Sequence, residues 1–354
     1  MNEDPKTATI VVNWNKKNDT LKLLNALGNL EYNNNDIIVV DNASDDGSVD
    51  AVRAQYPEIE LLVNPENLGG TGGFNSGIRH ALKKNGYKYI WLLDNDVDVE
   101  SDTLKKLIDV LEQDETIGLA GSRIVNPTNR NITVEAGGMI ETRMVGGRPL
   151  YGNFLNIAVD AKKIEVDYVA ICSAVVRVSS LGKTGLMDER HFIFWDDMDW
   201  GLNFKDSGYK VTCVLDSVAY HEAFTEKVGE LVDYYYRNRN SLLTYSKHYS
   251  LYKRVPLFYN YLRKKCTGLI LLGLNGNANL MKLGFDGLLD FTVGRWGQKR
   301  GWTDDNEPLS KPGDLPRRAN SILILNDGSR DEIYQALASL KSKYPDARFT
   351  VLIN

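Results

Sequence analysis

Cysteine is scarce in this chain: Cys172, Cys213 and Cys266 are the only three among 354 residues, far apart and without a CxxC spacing. An odd, scattered set provides neither a disulfide framework nor a zinc site, and it suits a reducing compartment. Surplus basic charge is also missing. With 42 Lys and Arg against 47 Asp and Glu the net charge is −5, which excludes a general nucleic-acid binder, because neutralising phosphates takes a basic surface. Long apolar runs are absent: Leu269 to Leu274, the most apolar late stretch, is far short of the ~20 residues a membrane-crossing helix needs. The opening residues, MNEDPKTATIVV, show no basic-then-apolar leader pattern. The expectation is a soluble, cytoplasmic chain. Two nucleotide-binding signatures are lacking as well. Counted from Gly70, Asn75 takes the last glycine position of a GxGxxG, and Ile78 stands where a Walker A lysine would follow Gly77. A nicotinamide dehydrogenase is disfavoured accordingly.

What is present is an α/β pattern. Thr9 to Val12 (TIVV), Ile37 to Val40, Ile59 to Val63 and Tyr89 to Leu93 are short apolar runs alternating with amphipathic segments, the signature of a mostly parallel sheet with crossover helices. Asp19 and Thr20 are cap candidates for a helix carrying Leu23, Leu24, Leu27 and Leu30, and Ser101 for one reaching Leu111. Acidic or amide residues end strand after strand: Asn13, Asp41, Asn64, Asp94. In a parallel sheet such tips share one edge, where ligands of open α/β folds collect. KYIWLLDNDV (Lys88 to Val97) is the strongest instance, a strand too bulky to be exposed on either face, ending in Asp94-Asn95-Asp96. Paired carboxylates of this spacing suit Mg²⁺ or Mn²⁺ shared with a phosphate; a plain acidic turn is the alternative. Four glycines within five residues, Gly69-Gly70-Thr71-Gly72-Gly73, at a helix start favour close approach of a ligand to the backbone over a merely flexible loop.

A second acidic cluster, Trp195-Asp196-Asp197-Met198-Asp199-Trp200, is framed by aromatic residues. Apolar framing raises a carboxylate's pKa, which makes it a usable general base near neutral pH. The competing reading is an N-capping turn before a helix from Trp200 to Lys205. His221 follows a strand-like Val211 to Tyr220, where it could join carboxylates as a metal ligand.

The segments VVNWN, VVDN, NLGGTGGFNSG, WLLDNDV, FWDDMDWGLNFKDSGY, YHEAF and YYYRNRN occur in the order seen in inverting family 2 glycosyltransferases of the GT-A fold. The resemblance runs from about Thr9 to Trp302. The WDD run followed by a histidine is most similar to bacterial galactofuranosyltransferases, with rhamnosyltransferases of the same family close behind. The resemblance implies a Rossmann-like GT-A fold and a metal-dependent, inverting hexosyltransferase using Mn²⁺ or Mg²⁺. Its donor would be a nucleotide-sugar such as UDP-galactofuranose or dTDP-rhamnose, and its acceptor a hydroxyl of a glycan or glycolipid, in cell-surface polysaccharide or glycoprotein glycan assembly. It also implies residue roles. Asn13, Asp41, Asn67, Gly70, Asn75 and Asp94 would bind the donor nucleotide. Asp94, Asp96 and His221 would hold the metal. Asp197 would be the catalytic base with Asp196 beside it, and Trp195, Trp200 and Arg237 would line the acceptor site. Asn238 falls in the same motif as Arg237, near the diphosphate or acceptor. Asn95 departs from an all-acidic metal motif and lowers the local negative charge. The competing class is a non-catalytic sugar-nucleotide-binding scaffold subunit on the same fold.

Four regions are expected: a GT-A catalytic domain over 1–225, a helical extension over 226–302, a linker over 303–319 rich in proline and charge, and a partial second α/β unit over 320–354. In the extension, Arg263, Lys264 and Lys265 adjoin apolar Leu269 to Leu272, a combination able to touch the inner face of a membrane, although packing on the catalytic domain is the simpler reading. The last unit, Ser321 to Asn326, a helix over Asp331 to Lys341 and Phe349 to Ile353, would leave a sheet edge unpaired. The expectation is that the polypeptide continues or that this piece docks on a partner, a second copy included.

Overall fold

The computed structural model describes residues 4–141, 146–149, 161–221, 230–274, 276–299, 321–326 and 348–353. The chain forms two compact units, Met1–Trp302 and Thr303–Asn354. In the first, β1 (Thr7–Asn13), α1 (Lys17–Leu27), β2 (Asn35–Asp41), α2 (Ser48–Gln55), β3 (Glu60–Val63), α3 (Gly69–Lys84) and β4 (Tyr89–Asp94) alternate as the sequence pattern predicts. After them come β5 (Asp98–Val99), α4 (Thr103–Gln113), β6 (Ile117–Val125), β7 (Thr133–Glu135), β8 (Gly138–Glu141), β9 (Gly146–Pro149), β10 (Lys163–Val166), β11 (Ser173–Arg177), α5 (Asp196–Asp206) and β12 (Lys210–Tyr220).

One sheet runs β10-β12-β6-β11-β4-β1-β2-β3, with β5 pairing β12 and β7 pairing β6. Its β3-β2-β1-β4 part is parallel, and β11 is antiparallel to both β4 and β6. Strand β4 is buried on both faces, as its bulk predicts: Ile90 and Leu92 enter one core with Phe74 and Ile78 of α3 and Trp200 and Phe204 of α5. Tyr89, Trp91 and Leu93 enter the other with Leu23, Leu24 and Leu27 of α1 and Leu104, Leu107 and Leu111 of α4. The period of two along the strand is what divides its side chains between these layers. The mixed α/β sheet with covering helices is the expected fold.

Local expectations need correction. Asp19 and Thr20 do not cap α1 but lie inside it, and the Lys17 amide donates instead to Asp46 Oδ2 at 2.8 Å. Helix α4 starts at Thr103, whose Oγ1 accepts from the Glu100 amide, while Ser101 donates to Glu31. The helix expected from Trp200 begins four residues earlier as α5, taking Asp196 and Asp197 into its first turn. The stretch 126–156 contains β7, β8 and β9; its residues 142–145 and 150–156 lie outside the described ones.

Helices α6 (Glu230–His248), α7 (Leu251–Leu274) and α8 (Ala278–Thr292) complete this unit. They build a third, aromatic core: Tyr235, Tyr236, Tyr245, Tyr261, Leu257, Leu269 and Leu288 pack with Tyr168, Phe194 and Trp195. In the second unit β13 (Ser321–Asn326) and β14 (Arg348–Ile353) pair in parallel. The linker expected over 303–319 and the helix expected over 331–341 lie outside the described residues.

Candidate active site

The strand tips gather as the parallel sheet requires. Asn13 is in register with Asp41, and Asp94 with Val12. Strand β12 runs parallel to β6, which shares the direction of β4 because β11 is antiparallel to both. His221, directly after β12 and anchored by its amide to Val125 O at 3.1 Å, therefore reaches the same edge as Asp94. The ligand atoms of Asp94, Asp96 and His221 all lie within 4.8 Å of one another, and His221 Nε2 is 3.1 Å from Asp96 Oδ1.

Charge is unbalanced there. Burial, then repulsion from Asp96, raises the Asp94 carboxyl to about 7. Burial also works against Asp96, but the hydrogen bond with His221 and the charges of His221 and Lys16 keep its carboxyl below the usual range. Two oxygen donors and one imidazole, strained by mutual repulsion, fit a hard or borderline divalent cation such as Mn²⁺ or Mg²⁺. Asn95 finds a local reason: its amide donates to Asn13 Oδ1 at 2.8 Å. An acid at this position would present a carboxylate to that oxygen. Asn13 is thereby fixed on several sides, donating to Asp41 Oδ2 at 2.7 Å and accepting from Thr20 Oγ1 at 2.8 Å.

The second bank of acids comes from α5. Burial, then the charge of Asp196, raises Asp197 to about 7, and Asp196 Oδ2 accepts from Thr71 Oγ1 at 2.8 Å. The two banks share one neighbourhood. Asp196 contributes to the rise of Asp94, and the Cys172 thiol is pushed up by burial and then by the charges of Asp94, Glu135, Asp96 and Asp197. Cys172 is tied to the β4 tip, its carbonyl accepting from the Asp94 amide at 3.3 Å. Residues 94–96 and 196–197, a hundred apart in sequence, thus converge.

Glu135 escaped the sequence reading. It ends β7, its Oε1 is buried without a hydrogen-bond partner, and burial followed by the charge of Asp197 lifts it to about 8. No local signal marks it, because a three-residue strand among turns has no pattern to read. Arg237 is the cation that eases both Glu135 and Asp197, and its guanidinium lies 4.8 Å from the centroid of Phe194.

The loop before α5 has an unusual backbone. Phe192, Phe194 and Trp195 all have φ between 65° and 67°, a left-handed conformation that costs roughly 1–2 kcal/mol for each non-glycine residue. Helix α6 holds the loop there. Asn240 Nδ2 lies within donating distance of the carbonyls of His191, Ile193 and Phe194 (2.8 to 2.9 Å), and Arg239 NH2 donates to those of Arg190 and His191 at 3.1 and 3.0 Å. On the other side sits the glycine-rich start of α3, which is helical rather than a loop. Gly69, at φ 71°, comes so close that a Cβ would lie 2.2 Å from Phe192 O, and a Cβ on Gly77 would lie 2.5 Å from Ile10. These two glycines serve close packing of α3 against the loop and the sheet, whereas Gly70 has open space at its Cβ.

Several expected site residues have partners within the fold. Trp200 is fully buried, donates to Gly185 O at 3.0 Å and packs edge-on against Phe204, so it belongs to the core and not to an acceptor site. Asn75, also fully buried, bridges to Met187 O and Glu189 Oε1 at 2.8 and 2.9 Å and fastens α3 to the chain before α5. Asn238 is buried at the α6–α7 contact, accepting from the Tyr261 hydroxyl. Asn67, just ahead of α3, accepts from the Gly69 amide at 2.8 Å. Trp195 is largely buried, edge-on to Tyr245 at 5.4 Å.

Comparison with known proteins matches this geometry. The glycosyl transferase family 2 model covers residues 9–183. A galactofuranosyltransferase of Mycobacterium tuberculosis is 24% identical over 203 residues, 52% of this chain and 31% of that protein. Its counterpart in Mycolicibacterium smegmatis is 22% identical over 206 residues, again 52% and 31%. The chain therefore spans about a third of the length of these relatives. Among solved structures, a mannosyltransferase of Pyrobaculum calidifontis in complex with GDP-Man and Mn²⁺ superposes with a TM-score of 0.52, at 16% identity, over 82% of this chain and 88% of that one. GalNAc-T7 with UDP, GalNAc and Mn²⁺ gives 0.50 at 14% identity over 62% and 44%. Sheet order, acidic strand tips and family match agree: residues 9–183 match the glycosyl transferase family 2 model, and the fold is of the GT-A type.

Proposed function

We propose that this protein is an inverting, metal-dependent hexosyltransferase that moves a sugar from a nucleoside diphosphate donor to a hydroxyl of a glycan or glycolipid. UDP-galactofuranose and dTDP-rhamnose are the donors to test first; the galactofuranosyltransferase relatives favour the former. The observation that carries the reading is the convergence of two acid pairs of opposite use: Asp94 and Asp96 beside His221, and Asp197 raised to about 7 a short way across the same edge.

Asp94, Asp96 and His221 would hold Mn²⁺ or Mg²⁺, which, when bound, acts as a Lewis acid for the charge that gathers on the departing diphosphate. Asp197 takes the proton of the acceptor hydroxyl as that oxygen bonds to the anomeric carbon. The bond from that carbon to the diphosphate oxygen breaks, and its electron pair leaves with the nucleoside diphosphate. Attack from the side opposite the leaving group inverts the anomeric centre, through a transition state of oxocarbenium character. A carboxylate near 7 is well matched to this task, since a general base is most effective when its pKa lies close to the working pH. Glu135, itself raised by burial and the charge of Asp197, offers a partner for a second sugar hydroxyl. Asn13 and Asp41 would meet the nucleotide, Arg237 the acceptor side. The setting is glycan assembly at the cytoplasmic face of a membrane.

The test is release of nucleoside diphosphate from UDP-galactofuranose and from dTDP-rhamnose with Mn²⁺ and a glycan acceptor. Asp197→Asn should lower turnover by about 10²–10⁴ while UDP still protects the fold against heating. Undiminished turnover in Asp197→Asn removes that residue as the base. UDP binding without turnover by any donor would instead favour the scaffold subunit.

A further inference from the structure

Helix α7 is apolar on two sides, and only one of them is covered. Leu257, Tyr261 and Leu269 are buried in the aromatic core against α6 and α8. Away from that core Tyr252, Val255, Tyr259, Leu262, Ile270 and Leu274 are exposed by 87%, 62%, 68%, 39%, 51% and 77%. Their spacings of three, four, three, eight and four residues follow the helical repeat, so they form one stripe along a helix of 24 residues, about 36 Å long. A helix apolar all round is normally buried all round. An exposed stripe of this length marks a surface that something covers.

Charge says what covers it. The chain as a whole carries −5, yet α7 holds Lys253, Arg254, Arg263, Lys264 and Lys265 and no Asp or Glu. Arg263 and Lys264 are exposed, and Lys265 lies over the Tyr261 ring at 5.5 Å. The acids of the adjoining α8 are already engaged: Asp290 with Tyr235 and Arg295, Asp286 with Lys299. A second copy is a poor cover, because pairing two α7 stripes would bring Arg263 and Lys264 of both copies together. Insertion across a bilayer is also unsuited, since no helix among the described residues is long and apolar enough to cross one. Cations beside an apolar stripe with two tyrosines match an anionic lipid surface, where tyrosine sits at headgroup depth and Lys and Arg reach the phosphates.

We propose that the outer face of α7 docks on an anionic bilayer, with the helix lying in the headgroup plane. This goes beyond the transferase reading and does not depend on it. The test is co-flotation of the full chain with phosphatidylcholine vesicles, with and without phosphatidylglycerol. Binding should require phosphatidylglycerol and weaken as salt rises. Arg263→Gln with Lys264→Gln should weaken it roughly twenty-five-fold, about fivefold per cation lost from the surface. Tyr252→Ser with Leu274→Ser, both at exposed positions, should reduce binding to the same vesicles while leaving the unfolding temperature unchanged. Absence of co-flotation overturns the proposal, and so does binding that both double variants retain. A concentration-dependent dimer, broken by Tyr252→Ser with Leu274→Ser in sedimentation without lipid, would assign the face to a second copy instead. Each readout is binding, so a chain without detectable transferase activity leaves this test intact.

Discussion

Two clusters in this molecule have nearly the same composition and opposite electrostatics. Asp94, Asp96 and His221 form one; Asp188, His191 and Asp199 form the other, and in each the ligand atoms lie within 4.8 Å of one another. In the second every acid is answered. Lys247 bridges Asp188 and Asp199, Arg190 pairs with Asp188, and His248 joins Asp199 to Asp206 at 3.2 and 2.7 Å. Although burial opposes it, those partners hold Asp188 and Asp199 below the usual carboxylate range. In the first cluster burial and Asp96 push Asp94 up to about 7. Geometry alone makes both look like metal centres. Counter-charge separates them: one cluster is saturated by protein cations and fastens α5 to α6, while the other, among the described residues, has only the weaker influence of His221 and Lys16 at a strand edge.

The largest effect should come from the unsaturated cluster. Asp96→Ala should abolish Mn²⁺-dependent protection against heating in the presence of UDP, and lower transfer by about a thousandfold, the scale of a lost Lewis acid worth several kcal/mol. The metal-free fold should lose little, because the change relieves repulsion at Asp94. If Asp96→Ala keeps full Mn²⁺ protection, the two clusters are not distinguished by metal binding.

Next in size is the saturated cluster. Lys247→Met leaves Asp199, which is fully buried, facing Asp188 without its bridge. Removing one partner of a buried pair costs on the order of 3 kcal/mol, to be read as a lower urea midpoint. Mn²⁺ affinity at the first cluster should not move. A second Mn²⁺ bound by Lys247→Met, counted by titration, would sharpen the contrast to a single cation.

Much of this was legible in the sequence because it lies in local pattern. The strand β4 and its terminal acids needed only a bulky apolar run and the parallel topology implied by strand–helix alternation, and that topology also brings His221 to Asp94. The glycine segment was visible but its purpose was not: Gly69 and Gly77 answer to Phe192 and Ile10, residues more than sixty positions away from them along the chain. Trp200 shows the same blindness, since an indole beside a cluster of acids on a helix can face the core as readily as the cleft. Glu135 and the hold of Arg239 and Asn240 on the left-handed loop exist only in three dimensions. The sequence motif YYYRNRN drew attention to Arg237 and Asn238, but the residues that grip the loop are the next two.

The smallest effect is the most diagnostic, because it turns on protonation alone. Asp94 has its carboxyl raised to about 7 by burial and by Asp96, so below that pH it carries a proton that a metal must displace. Mn²⁺ affinity in the presence of UDP should therefore fall as the solution is acidified, approaching tenfold per pH unit, and level off above about pH 7, with one proton released per ion bound. The saturated cluster titrates in other pH ranges. Asp199 has a depressed carboxyl, so its stabilisation is present above the unfolded value near 4 and is lost only as pH falls through its lower folded value. His248 is raised by Asp199 and Asp206 against its burial, so its contribution is complete below the unfolded value near 6.5 and is lost as pH rises through its folded value. Acidifying from about 7 to 5 thus weakens metal binding at one cluster while leaving these ion pairs of the other in place. Titrating free Mn²⁺ by electron paramagnetic resonance across that window separates them: a flat profile would mean that Asp94 is already ionised, and that the cluster at the β4 tip is balanced as its twin is.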